Sequence, residues 1–103
     1  MPTSRQLFLQ HLAPTNDIPL MLEIERASGP YLYDAAGKKY FDLICGIGVS
    51  SLGHGHPAVL AAIHEQAERY LHVMVYGEFI QNPQVAYAQA LSQALPSGLD
   101  AVY

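Results

Sequence analysis

The stretch Tyr31-Leu32-Tyr33-Asp34-Ala35-Ala36-Gly37-Lys38-Lys39-Tyr40-Phe41-Asp42-Leu43-Ile44 decides how this chain reads. Two runs rich in aromatic and β-branched residues flank Asp34-Ala35-Ala36-Gly37, and that spacing is turn chemistry. A glycine takes φ > 0 there without steric cost. The pattern predicts a hairpin, with one strand over Tyr31-Leu32-Tyr33, the next over Lys39–Ile44, and Gly37 at positive φ. Upstream, from Leu20, Leu22 and Ile24 alternate with Glu23 and Glu25, the period of a half-buried strand with its carboxylates in water. Ser28-Gly29-Pro30 supplies the turn into Tyr31. Three strands in this order make a short antiparallel meander.

Helices are expected on both sides of it. Thr3-Ser4-Arg5-Gln6 reads as a capping box, a hydroxyl N-cap with a glutamine three residues on. Leu7, Phe8 and Leu12 then give a short amphipathic helix, stopped by Pro14. Pro57 sits where a first-turn proline belongs, because its missing N–H would be unpaired there anyway. Val59, Ile63, Ala67 and Tyr70/Leu71 follow helical spacing from it. Asn82-Pro83 repeats the start signal, Val85, Ala88, Leu91 and Leu95 form an apolar stripe, and Pro96 with Gly98 ends it. Asp100-Ala101-Val102-Tyr103 has the composition of a beginning strand. The expected class is α+β: a meander with an N-terminal helix and two following helices. Its segments are 1–17 (helix and linker), 18–56 (meander and glycine-rich loop), 57–98 (helical) and 99–103 (start of a strand).

Composition narrows what such a chain can be. Of 103 residues, 50% are apolar and 14% charged, with five Lys+Arg against nine Asp+Glu for a formal charge of −4. Disorder needs low hydrophobicity and high net charge, and neither holds. With no basic patch there is no counterion release to drive nucleic-acid binding. No apolar run approaches the roughly 20 residues that cross a bilayer, and the N-terminus carries no signal-peptide or transit pattern. The lone Cys45 cannot form an internal disulfide, which fits a reducing compartment, and the expected location is cytoplasmic. A domain of this size buries only about 60–70% of its unfolded surface. So apolar a chain is expected to be a piece of something larger, or an oligomer.

The most unusual segment is Cys45-Gly46-Ile47-Gly48-Val49-Ser50-Ser51-Leu52-Gly53-His54-Gly55-His56-Pro57, where four of the eight glycines fall within ten residues, between a strand and a helix start. It fails the dinucleotide fingerprint, because position 51 is Ser, and it fails the P-loop, because no Gly-Lys-Ser/Thr follows. Its glycines then either only make tight turns or let the backbone approach another group. His54 and His56 are too few for zinc, which wants three or four ligands. They are better read as donors that orient the loop or bond a carboxylate across an interface. Ser50 and Ser51 lack a nucleophile elbow. Lys38 and Lys39 lie at a hairpin turn, a poor setting for a Schiff-base lysine, which must be desolvated. No catalytic residue and no metal ligand is assigned. Tyr70, Tyr76, Phe79, Tyr87 and Tyr103 crowd the last third, with Tyr76 and Phe79 in the linker between two helices.

Taken together, these residues resemble the N-terminal segment of class III pyridoxal-phosphate aminotransferases, the group of the acetylornithine, ornithine and 4-aminobutyrate enzymes. The resemblance runs through Tyr31–Leu43, Gly46-Ile47-Gly48-Val49, Leu52-Gly53-His54-Gly55-His56-Pro57 and Asn82-Pro83-Gln84, from about residue 18 onward. It implies part of the small domain of a fold-type-I homodimer or higher oligomer. The cofactor would be pyridoxal 5′-phosphate, and the substrates a small-molecule amino donor and a 2-oxo acid. It places Ile47, Gly48 and Val49 in the wall of the substrate pocket, with Tyr76 and Phe79 near the substrate or the neighbouring subunit. Ornithine-type members have tyrosine where Ile47 stands, and many have tyrosine near Phe79, so the hydroxyls of those members are missing here. The family's phosphate-binding Ser-Gly turn, its pyridine-pairing aspartate and its Schiff-base lysine would follow beyond Tyr103. These residues are therefore expected not to bind the cofactor covalently and not to transaminate by themselves. The competing reading is a non-catalytic interaction or scaffold module.

Overall fold

A computed structural model describes all 103 residues. The chain forms a small α+β piece with three antiparallel strands and four helices, divided into two compact units, Met1–Glu65 and Gln66–Tyr103.

In the first unit, α1 (Ser4–His11) begins with the expected capping box: Thr3 Oγ1 accepts from Gln6 N, and Gln6 Oε1 accepts from Thr3 N. The sheet has the order β1-β2-β3, with β1 at Ile24–Ser28, β2 at Tyr31–Asp34 and β3 at Lys39–Phe41. Tyr31 pairs with Ser28 on one side and Phe41 on the other, and Leu32 with Ala27 and Tyr40. The Asp34 carboxylate closes the hairpin. Its Oδ1 accepts from the backbone N–H of Ala36 (3.0 Å) and Lys38 (2.9 Å), and its Oδ2 from the Tyr40 hydroxyl (2.9 Å). Gly37 stands at φ 81°, the left-handed region that the turn requires.

Both outer strands are shorter than their hydrophobic patterns suggest. β1 starts at Ile24, because Met21 at φ 54° breaks extended geometry below it. The ladder also skips Glu25 in a bulge between Ile24 and Arg26, so the alternation read from the sequence shifts face inside the strand. β3 ends at Phe41 and does not reach Ile44. There the Asp42 carboxylate takes the backbone N–H groups of Ile44 and Cys45, and those donors leave the ladder. The chain then makes α2 (Cys45–Gly48), a single turn whose interior is not right-handed, and after the glycine-rich loop enters α3 (Pro57–Arg69).

The second unit holds the end of α3, a connecting segment and α4 (Asn82–Ala94) with its proline in the first turn. Gln66 Nε2 donates to the Tyr70 carbonyl and Gln81 Nε2 to the Met74 carbonyl, so glutamine amides tie down backbone groups that the helix ends leave open. Residues 99–103, expected to begin a strand, form none. A strand exists only as a ladder, and the one sheet of the chain is β1-β2-β3.

No hydrophobic side chain is buried; the one buried residue is Asp42, at 8% exposure. No helix is long and apolar enough to cross a membrane.

Candidate functional site

Four consecutive residues follow Ile44 at positive φ: Cys45 at 51°, Gly46 at 59°, Ile47 at 61° and Gly48 at 81°. Glycine adopts this geometry freely. Cysteine does so with strain, and a β-branched isoleucine at φ > 0 is an outlier. Strain of this kind costs of order 1–3 kcal/mol per residue, persists only where the surroundings over-determine it, and gathers at functional sites. Short backbone bonds hold the turn: Ile47 N to Ile44 O (2.8 Å), Ser50 N to Cys45 O (2.9 Å) and Gly53 N to Ser50 O (2.8 Å).

The turn turns its apolar side chains outward. Ile47 is 91% exposed and Val49 83%. Burying either would be favourable, so a strained backbone that presents both to solvent is arranged for something other than this chain's own stability. The geometry suits one wall of a binding surface, apolar and with no side chain at Gly48 to keep a ligand from the backbone.

Beneath the turn lies the polar centre of the unit. Asp42 Oδ1 accepts from Ile44 N (3.1 Å) and Cys45 N (2.9 Å), while its Oδ2 faces His54 Nε2 at 2.6 Å. The Cys45 thiol donates to the Asp42 carbonyl (3.3 Å), and Asp42 N donates to the Pro30 carbonyl (2.9 Å). The Cys45 amide above all, then His54, holds the Asp42 carboxyl below its ordinary value of 3.8. His54 is itself anchored, exchanging two backbone bonds with Gly29 (2.9 and 2.8 Å). Gly53, at φ 85°, packs so closely that a Cβ there would lie 3.3 Å from the Gly29 backbone.

The expected loop-orienting donor at His54 is thus found, but its carboxylate belongs to the same chain and not to a partner across an interface. His56 Nδ1 is shielded and makes no hydrogen bond, and no three His, Cys, Asp or Glu side chains converge as metal ligands. Asp42 was passed over as a site residue in the sequence. The signal was present: a single acid inside Tyr40-Phe41-Asp42-Leu43-Ile44 needs a partner, since a carboxylate among apolar neighbours is costly unless paired.

Ile47, Gly48 and Val49 share one turn of the first unit. Tyr76 and Phe79 belong to the second unit, 72% and 52% exposed, in a segment where Glu78 N bonds to the Tyr76 carbonyl (2.8 Å). Lys38 and Lys39 lie exposed at the hairpin, their ammonium groups 5.0 Å from the Tyr40 ring centre and 4.2 Å from that of Tyr31. Stacked in water on aromatic faces, neither has the desolvated setting that activates a lysine.

Comparison with known proteins agrees with this segment order. The sequence profile described as Aminotransferase class-III matches residues 12–103. The succinylornithine transaminase of Yersinia pseudotuberculosis is 46% identical over 72 residues, which are 70% of this chain and 17% of that protein. The acetylornithine aminotransferase of Aquifex aeolicus is 50% identical over 54 residues, 52% of this chain and 14% of that protein. Among solved structures, the acetylornithine aminotransferase of Elizabethkingia anophelis superposes with a TM-score of 0.71 at 30% identity, covering 86% of this chain and 22% of that one. The adenosylmethionine-8-amino-7-oxononanoate aminotransferase of Methanocaldococcus jannaschii gives 0.77 at 26% identity, covering 89% and 22%. The chain therefore spans about a fifth of the length of the proteins it matches, from 14% to 22% in these four.

Proposed function

The chain belongs to the class-III aminotransferase family, and from that premise we propose that it serves as the N-terminal part of an enzyme that moves an amino group from an amino acid or ω-amine to a 2-oxo acid. In this reading the segment contributes to the small domain of a fold-type-I homodimer. The turn through Ile47, Gly48 and Val49 is the part of it that meets substrate. The observation that carries the reading is the strained turn with Ile47 and Val49 held outward. Family membership alone would not require an isoleucine at φ 61° in water.

The work of these residues would be to bind and orient. Ile47 and Val49 would lie along the carbon chain of the amino donor and exclude water beside it, and Gly48 would let the donor approach the backbone. Tyr76 and Phe79 would close the pocket or meet the second subunit. Isoleucine at position 47 offers no hydroxyl, so its side chain gives no hydrogen bond to a polar group of the donor. Acylated ornithines, named by the relatives, are the first donors to try.

Pyridoxal 5′-phosphate is the electron sink that the family implies for amino transfer. The residues of this chain do not fit its covalent attachment. The only lysines are Lys38 and Lys39, solvent-exposed at a hairpin turn. No step is assigned to them.

The full-length protein, assayed with acetylornithine, succinylornithine and a set of ω-amines against 2-oxo acids, should transfer the amino group. Ile47→Asp should raise the donor KM about tenfold or more, because it sets an unpaired charge against an apolar substrate chain. His64→Ala, on the exposed face of α3, should not. Absence of transfer with every pair would remove this reading and favour a non-catalytic interaction module, and an Ile47→Asp enzyme with unchanged KM would remove the turn from the substrate wall.

A further inference from the structure

The left-handed turn is closed by short bonds of its own, but those bonds do not tie it to the sheet. Its own backbone bonds tie residues 44, 45, 47 and 50 to one another, but none reaches another element. What does reach out is Asp42. One oxygen of its carboxylate gathers the amides of Ile44 and Cys45 at the mouth of the turn, and the other meets His54, twelve residues on. A carboxylate only accepts, so the 2.6 Å bond fixes the proton of His54 on Nε2. His54 in turn is fixed by its two backbone bonds to Gly29, at the far end of β1, and Asp42 N is fixed on Pro30. The chain from sheet to His54 to Asp42 to turn is continuous and short. Asp42 is also the one buried residue of the protein. The least exposed group of a chain without a hydrophobic core is thus spent on two amides of a surface turn.

We propose that His54 and Asp42 are positioning residues of the amino-donor site: the His54–Asp42 hydrogen bond clamps the Cys45–Gly48 turn in its left-handed form, and the pair thereby sets how the enzyme binds its donor without touching it. This deepens the function proposed above and rests on it for the substrate. The mechanical claim, that His54 holds the turn through Asp42, stands on the geometry alone. A bulky apolar pair at positions 47 and 49 is aimed by the backbone beneath it, and a carboxylate that loses its imidazole partner is free to rotate off the two amides.

The test compares His54→Ala, His54→Gln and the unaltered full-length protein in two measurements. In the first, hydrogen exchange of the Ile44 and Cys45 amides reads the clamp directly and needs no activity. His54→Ala should speed their exchange at least about tenfold, and His54→Gln, whose amide can still donate to Asp42, should restore most of the protection. In the second, His54→Ala should raise the donor KM about tenfold while kcat falls less, the pattern of lost binding alignment, and His54→Gln should recover the KM. Unchanged exchange in His54→Ala overturns the clamp. So does an equal fall in kcat and kcat/KM with a lower Tm that His54→Gln does not rescue, because that is a purely structural role. If the unaltered protein transfers no amino group, the proposed function fails, and the exchange measurement still decides whether His54 holds the turn.

Discussion

Two glycines separate conformational freedom from close packing at the level of single residues. Gly37 and Gly53 both stand at φ above 80°, but only Gly53 has backbone within 3.3 Å of where a Cβ would go. Gly37→Ala should therefore cost only the left-handed penalty, about 1 kcal/mol. Gly53→Ala should cost that and a further 1–3 kcal/mol or so of overpacking, because the Gly29 backbone must move and the two Gly29–His54 bonds with it. Hydrogen exchange at the Gly29 and His54 amides measures the difference: faster in Gly53→Ala, little changed in Gly37→Ala. Equal protection in both variants would mean that the close approach carries no weight.

Carboxylates serve as the hinges of the elements here. Asp34 closes β2 into β3, and Asp42 closes β3 into the left-handed turn. The Tyr40 hydroxyl first of all, and the amides of Lys38 and Ala36, hold the Asp34 carboxyl below 3.8, as the Cys45 amide and His54 hold Asp42. A carboxyl lowered in the folded chain contributes stability above its unfolded value, and that contribution is lost as pH falls through the folded value. Both turns should thus be intact at neutral pH and begin to loosen only as acid takes the pH below 3.8. Carboxyl carbon shifts followed by NMR should give midpoints for Asp34 and Asp42 under 3.8, and a midpoint at or above it would contradict the bonding described. The turn Asp34–Gly37 was legible in the sequence because its residues are contiguous, whereas the carboxylate bonds that close it were not read there. The capping box at Thr3 and the helix starts at Pro57 and Pro83 were legible for the same reason. The Asp42 hinge was not, since His54 reaches it only after the chain has folded back onto Gly29. The end of β3 at Phe41 and the run of positive φ through Ile47 rest on side-chain and turn bonds that are short in sequence, and hydrophobic periodicity does not register them.

Across the whole molecule, exposure is the dominant physical fact. The chain buries no hydrophobic side chain. Apart from the candidate substrate wall, Leu43, Ile44 and Leu52 are exposed in the first unit, and Leu71, Val75 and Ile80 in the second. Exposed apolar side chains of this number are what burial against further polypeptide would require, and the chain spans about a fifth of its relatives. The 103-residue chain by itself should then associate or come out of solution. Sedimentation velocity across a hundredfold range of concentration should show weight-average mass rising with concentration. Phe79→Asp should lower that rise, because a carboxylate without a partner is costly inside an apolar contact. Ile80, the next residue, is 91% exposed as well. A monomer that stays soluble at high concentration, indifferent to Phe79→Asp, would mean that these side chains are stable in water, and the case for their burial against the rest of an aminotransferase would fall with it.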